Sequence, residues 1–224
     1  LDRCLRRHGV ARLADLLPEA QGKPALPKTF KDYEPGFVHV DVKYLPRMPD
    51  EAERRYLLAA IDRASRWVYF EIRPDKTADT AAGFLERLRA KAPFLVRTVL
   101  TDNGKEFTDR FCATGEREPT GQHVFDQTCA AHNIQHRLIK PRHPQTNGMI
   151  ERFNGRVAAV LKTTSFASAR HLETTLQKYL HLYNQRIPQK NLGHVTPVAK
   201  LKEYCGLNPT SFKKDLSIIR DPTV

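Results

Sequence analysis

In residues 36–46, GFVHVDVKYLP, the apolar Val38, Val40, Val42 and Tyr44 alternate with His39, Asp41 and Lys43. A period of two marks a half-buried strand and puts Asp41 in mid-strand on its polar face. Aspartate is disfavoured in strands, so its presence there points towards chemistry. RYLLAAID and WVYFEIR, joined by the short Arg63–Arg66 connection, predict two more strands in an antiparallel meander. Asp62, at a strand end beside that connection, reads as a structural acid bonding local backbone. From Thr77 to Ala92 the spacing of Ala78, Ala81, Ala82, Leu85 and Leu88 predicts an amphipathic helix, which Pro93 ends. A fourth strand, Val96–Thr101, leads into Asp102-Asn103-Gly104, a turn that sets Asp102 at the strand's end. A polar excursion over 109–122, a helix near Val124–Ala131 and a fifth strand at Ile134–Ile139 follow. This order implies an α/β core with a mixed sheet.

The stretch from Ile139 to Lys162, IKPRHPQTNGMIERFNGRVAAVLK, is a basic loop handing over to a helix. Pro141 and Pro144 bar a helix through its first part, and Asn147 can cap one through Met149, Glu151 and the Val157–Leu161 block. Residues 133–166 hold six Lys or Arg and a single acid, Glu151. That acid is either a helix-start residue favoured by the macrodipole or a functional group. Since strand ends and helix starts converge on one edge of an open sheet, Asp41, Asp102 and Glu151 are the acids best placed to meet.

Charge narrows the partner. Thirty-seven Lys and Arg against 25 Asp and Glu give a net +12, which favours a polyanion, nucleic acid before an anionic membrane surface. No apolar run approaches the roughly 20 residues of a membrane span, and no signal peptide opens the chain, so a soluble, cytoplasmic protein is expected. Cys4, Cys112, Cys129 and Cys205 form no CxxC pair and suit a reducing compartment. Cys112, Cys129, His132 and His136 can be written as a zinc set, but the cysteines are far apart for a knuckle, and a strand beginning at Ile134 would separate the histidines. Residues 1–17 have helical spacing broken by Gly9, and 18–36, with Pro18, Pro24, Pro27 and Pro35, read as a linker. Residues 206–224 read as a basic C-terminal tail.

HVDVKYLP, AAIDRASRWVYFE, LTDNGKEF and HPQTNGMIERFNGRV, with LYNQRIPQKNLGHVTPVAKL at 182–201, carry a family likeness. Together they resemble the catalytic core of insertion-sequence transposases of the retroviral-integrase superfamily, of the DDE type. The resemblance covers most of residues 37–205 and implies a ribonuclease-H-like fold, a five-stranded mixed sheet flanked by helices. It implies a catalytic triad of Asp41, Asp102 and Glu151 holding two Mg²⁺ or Mn²⁺ ions, with Asp41 bridging both and no zinc. The activity implied is DNA strand cleavage and transfer, on transposon ends and target DNA, by a homo-oligomer in a bacterial cytoplasm, associated with the nucleoid when on DNA. Residues 1–17 then look like the remnant of a helix-turn-helix. Asp102 and Glu151 stand further apart in sequence than is usual in integrases, and the 109–122 excursion accounts for the excess. Lys105, Lys140, Arg142, Arg152 and Arg156 are candidate phosphate contacts, and Gln145, Asn147 and Asn154 can reach bases or order the loop. A ribonuclease-H-type nuclease and a catalytically silent DNA-binding protein are the competing readings. The nuclease reading calls for a fourth acid or base, which the sequence does not assign.

Overall fold

The computed structural model describes residues 33–112, 115–139 and 148–213. Its strands are β1, Phe37–Tyr44; β2, Tyr56–Asp62; β3, Val68–Arg73; and β4, Thr98–Thr101. The short β5, Phe111–Cys112, and β6, Gly115–Glu116, precede β7, Gln135–Leu138. The main sheet has the order β3-β2-β1-β4-β7, antiparallel on the β3 side of β1 and parallel on the β7 side. The helices are α1, Ala78–Lys91; α2, Val124–Ala131; α3, Gly148–Thr163; α4, Ala169–Gln185; and α5, Pro197–Leu207. The five-stranded mixed sheet and helices α1, α2 and α3 are those expected, and α4 and α5 add to them. None of the described helices is long and apolar enough to cross a membrane.

Side chains alternate along β2 into two different cores. Leu58 and Ala60 join Val38, Val40 and Val99 under Phe84, Leu85 and Leu88 of α1 and Phe125 of α2. Leu57, Ala59 and Ile61 join Val68 and Phe70 under Ile150, Phe153 and Val157 of α3 and Leu172 and Leu176 of α4. Both faces of the sheet are therefore covered, as a sheet with parallel connections requires. This changes the meaning of the alternation in β1. Its polar side faces the helix layer rather than water: His39 is fully buried and Asp41 half-buried.

Local chemistry explains the element ends. The Thr77 hydroxyl accepts from Thr80 N and caps α1, and Ser168 and Thr196 cap α4 and α5 in the same way, with Pro197 opening α5. Strand β4 begins two residues later than predicted because the backbone before it is engaged elsewhere: Leu95 N donates to Ser211 O and Arg97 N to Gly36 O. The 109–122 excursion is pinned by Asp109, whose carboxylate accepts from Arg117 (2.8 Å) and Thr120 N (3.1 Å).

Both flanks of the expected core extend into it. Phe212, assigned above to the tail, is buried and bridges to Phe94, so the packed structure continues past residue 205. At the other end, Gly36 adopts φ +115, and a Cβ there would lie 2.4 Å from Leu95 O, so only glycine fits. Its N–H donates to Asp62 Oδ1 (2.9 Å), while Ser65 N and Oγ donate to Oδ2 (2.8 and 2.7 Å). Asp62 is thus the structural acid it was expected to be. The proposed helix-turn-helix remnant, most of the linker and residues 214–224 lie outside the described residues.

Strand β3 is a sheet edge, and an unpaired edge invites association. Asn184 of α4 closes it by accepting from Val68 N (3.0 Å) and donating to Val68 O (2.8 Å). Replacing Asn184 with Ala strands both backbone groups in a buried setting, and we expect a loss of about 1–3 kcal/mol in urea unfolding. An unchanged unfolding midpoint would show that the clasp contributes nothing.

Candidate active site

The register of the parallel β1–β4 pair, Val38 with Val99 and His39 with Leu100, brings Asp41 alongside Asp102 when continued by two residues. Paired positions on neighbouring strands lie about 4.8 Å apart. The Asp102 turn is tight: Gly104 N donates to Asp102 Oδ1 (2.9 Å), and Asn103 Nδ2 donates to Ile139 O (2.9 Å), tying the turn to the end of the β7 segment. Thr101 Oγ1 donates to Asp102 O (3.0 Å) and lies 2.8 Å from His136 Nε2, whose Nδ1 is 2.5 Å from Asp126 Oδ1. A buried polar chain from α2 thus backs the turn.

Helix α3 supplies the third side. Asn154 Nδ2 donates to Asp41 Oδ2 (2.6 Å), and Glu151 is three residues earlier on the same face. The charges of Asp102 and Glu151 both act on Asp41. Burial first, and then repulsion from Asp102 and Glu151, raise its pKa from 3.8 to about 6, against the opposing Val42 N–H and Asn154 bonds. Its surroundings disfavour the ionised form by on the order of 3 kcal/mol relative to a solvated carboxyl. Glu151 itself is exposed. As they stand, no three His, Cys, Asp or Glu side chains among the described residues form a ready group for a metal ion. The donor set nevertheless fits a hard divalent cation, because carboxylate oxygens are its preferred ligands and the acids around Asp41 raise its pKa by mutual repulsion.

Two further side chains belong to this corner. Glu106 is buried, and a Cβ on Gly104 would lie 2.8 Å from its carboxyl carbon and 3.0 Å from Asp102 Oδ1. Glycine at 104 is what lets these two acids approach. Lys76 Nζ stands 3.4 Å from both Glu106 oxygens. Neither Glu106 nor Lys76 is among the candidate site residues of the sequence, where the EF that follows the Asp-Asn-Gly turn is the available signal.

The comparisons with known proteins now bear on this site. An integrase core domain profile matches residues 33–144, and a second integrase core domain profile matches residues 132–197. The chain belongs to the integrase core domain family. A putative integrase ORF3 of Spiroplasma virus SpV1-C74 is 26% identical over 170 residues, which are 73% of this chain and 47% of that protein. A chain of the simian T-cell lymphotropic virus intasome, solved with PP2A regulatory subunit B56 gamma, matches with a TM-score of 0.54 and 18% identity. That match covers 70% of this chain and 51% of the other, and it supports the ribonuclease-H-like fold. The chain spans about half the length of the proteins it matches.

Among the nominated DNA-contacting residues, Lys105, Arg152 and Arg156 are exposed, the latter two on α3 beside Glu151. Asn154 is turned inward and donates to Asp41. Lys140, Arg142, Gln145 and Asn147 lie outside the described residues, as does the side chain of Cys112. Of the other possible zinc ligands, His132 ends α2 and pairs with Glu86, and His136 is engaged as described.

The raised pKa of Asp41 has a definite sign. A carboxyl that binds its proton more tightly when folded contributes stability at low pH and loses it as pH rises from about 4 through about 6. In EDTA we expect Asp41→Asn to remove that part of the pH dependence. By carboxyl-carbon NMR, Asp41 is expected to titrate near 6, lower in Asp102→Asn and higher in Asn154→Ala. Titration near 4 in the parent protein would contradict the cluster.

Proposed function

We propose that this chain is the catalytic core of a DNA transposase of the integrase superfamily, cutting DNA strands and joining their ends with divalent cations held by Asp41, Asp102 and Glu151. The observation that carries this reading is the parallel register that sets Asp41 alongside Asp102, with Asn154 of α3, one turn from Glu151, bonded to Asp41. Membership of the integrase core family and the net charge of +12 support it. When bound, two such ions polarise the phosphodiester and ease both attack and departure of its oxygens. Mg²⁺ or Mn²⁺ suits an all-oxygen site.

The protein's own groups do the rest. Asn154 fixes one oxygen of Asp41 from the same helix face that carries Glu151. The Thr101–His136 contact and the Gly104 N–H hold the Asp102 turn still, which is the pre-organisation such chemistry needs. Lys105, Arg152 and Arg156, with Lys140 and Arg142, engage the DNA backbone of transposon ends and target. Joining two ends calls for more than one copy of the chain, so a homo-oligomer is part of the proposal.

A hydrolytic nuclease on the same fold is the second reading. Glu106 favours it by supplying a fourth acid beside Asp102, but its burial and its pairing with Lys76 suit a supporting role better.

The test is a duplex of the element's own terminal sequence with Mg²⁺. We expect the parent protein to yield both nicked and strand-transfer products, and Asp102→Asn to yield neither while keeping its DNA affinity. Undiminished cleavage by that variant would sink the metal mechanism, and nicking without any joined product would favour the nuclease.

A further inference from the structure

On the opposite flank of α3 from Asn154, a cavity of about 180 Å³ opens between the end of β2, the Arg63–Arg66 turn, α3 and the 3-10 turn Lys190–Leu192. Arg66, Arg152, Arg156 and Lys190 line it, with Tyr183 and Asn191. Four cationic side chains thus converge on one concavity. At roughly 30 Å³ per water, the space takes about six waters, room enough for a phosphate group with part of its hydration.

Arg66 is the telling member. It sits in the left-handed region at φ +62, uncommon for a long side chain, so the turn aims it by a strained backbone. Its Nη1 is buried without a hydrogen-bond partner. A guanidinium nitrogen left unmatched in that way calls for an acceptor. Burial, and then the charges of Arg152 and Arg63, hold its pKa below the usual value, against Tyr183 and Asp62. Asp62 does not close the site, because its oxygens are engaged by Gly36 and Ser65. Arg156 lies over the Tyr183 ring at 5.5 Å, which fixes its head group at the cavity wall. Arg152 donates to Gly148 O (3.0 Å) from the same helix.

The cavity shares two of its walls with the Glu151 flank of α3. Arg152 and Arg156 also line an open groove along α3 that contains Glu151, Gly148, Gly155 and Ala159. A Cβ on Gly155 would meet nothing within 4 Å, so the groove is shallow and unobstructed there.

We infer that Arg66, Arg152, Arg156 and Lys190 form a phosphate-binding pocket that grips one backbone phosphate of the DNA strand as it leaves the Glu151 side of the active site. This deepens the proposed function and rests on it for the identity of the polyanion. Arg66 and Lys190 are new members of the DNA interface. The contact positions the strand without reading sequence.

The test measures DNA affinity against salt, from about 50 to 200 mM KCl, where each lost phosphate contact lowers the log–log slope by about 0.9. It uses the whole protein carrying Asp102→Asn, so that the DNA stays intact. Arg66→Asn suits the left-handed backbone and removes the guanidinium; Lys190→Ala is an exposed change that leaves the fold alone. We expect each to lower the slope by about one, and Arg66→Lys to keep the parent slope. An unchanged slope in folded Arg66→Asn and Lys190→Ala overturns the pocket. Inorganic phosphate, followed by ³¹P NMR, separates the sources. Phosphate binding lost in Arg66→Asn with an unaltered DNA slope marks an anion site that DNA does not enter, which also overturns the inference. A lowered slope alongside undiminished cleavage by Asp102→Asn would leave the pocket standing and remove the catalytic reading instead.

Discussion

A carboxylate in the centre of a covered sheet, half out of water and repelled by two other acids, is the constraint on which this structure turns. Asp41 is on β1 because that strand is paired on both sides and cannot move. It ionises at a cost because burial strips it of water first and Asp102 and Glu151 then repel its charge. Nothing in the packing of the core requires it, since Val38 and Val40 on the other face of the same strand supply the apolar contacts. The site is held at the expense of stability by everything around it: Asn154 from α3, the parallel register with β4, and the Gly104 turn.

The division of labour on α3 follows from its three faces. Ile150, Phe153 and Val157 anchor it to the sheet, and Asn154 and Glu151 address the acids of β1 and β4. Arg152 and Arg156 are turned towards solvent and the cavity beside Tyr183. One helix therefore couples core, acids and cations. The acids keep a negative patch in an otherwise basic protein, a place where a bound cation would offset charge.

Much of this was legible in the residues. Asp41 stood out because aspartate in an alternating strand breaks a propensity rule, and Asp102 because an Asp-Asn-Gly turn ends a strand. The α/β order and the sheet followed from periodicity, and the end of α1 from Pro93. What was not legible depends on contacts between distant residues. Asn154 reads from sequence as one more polar residue of a basic helix, and only the packing of α3 on β1 turns it to Asp41, 113 positions away. Asn184 closing the edge of β3, Phe212 filling the core and Arg66 aimed by a left-handed turn are likewise three-dimensional facts. The polar face of β1 was read as facing water because alternation records only that the two faces differ, and here the second face differs because it carries the site.

The central claim is that Asp41, Asp102 and Glu151 form one cation-binding cluster. Anomalous diffraction from a crystal soaked in Mn²⁺ tests it most directly. The account predicts two peaks bounded by these three side chains, with Asp41 between them and both absent in Asp41→Asn. Manganese bound elsewhere, with these carboxylates left bare, would contradict it.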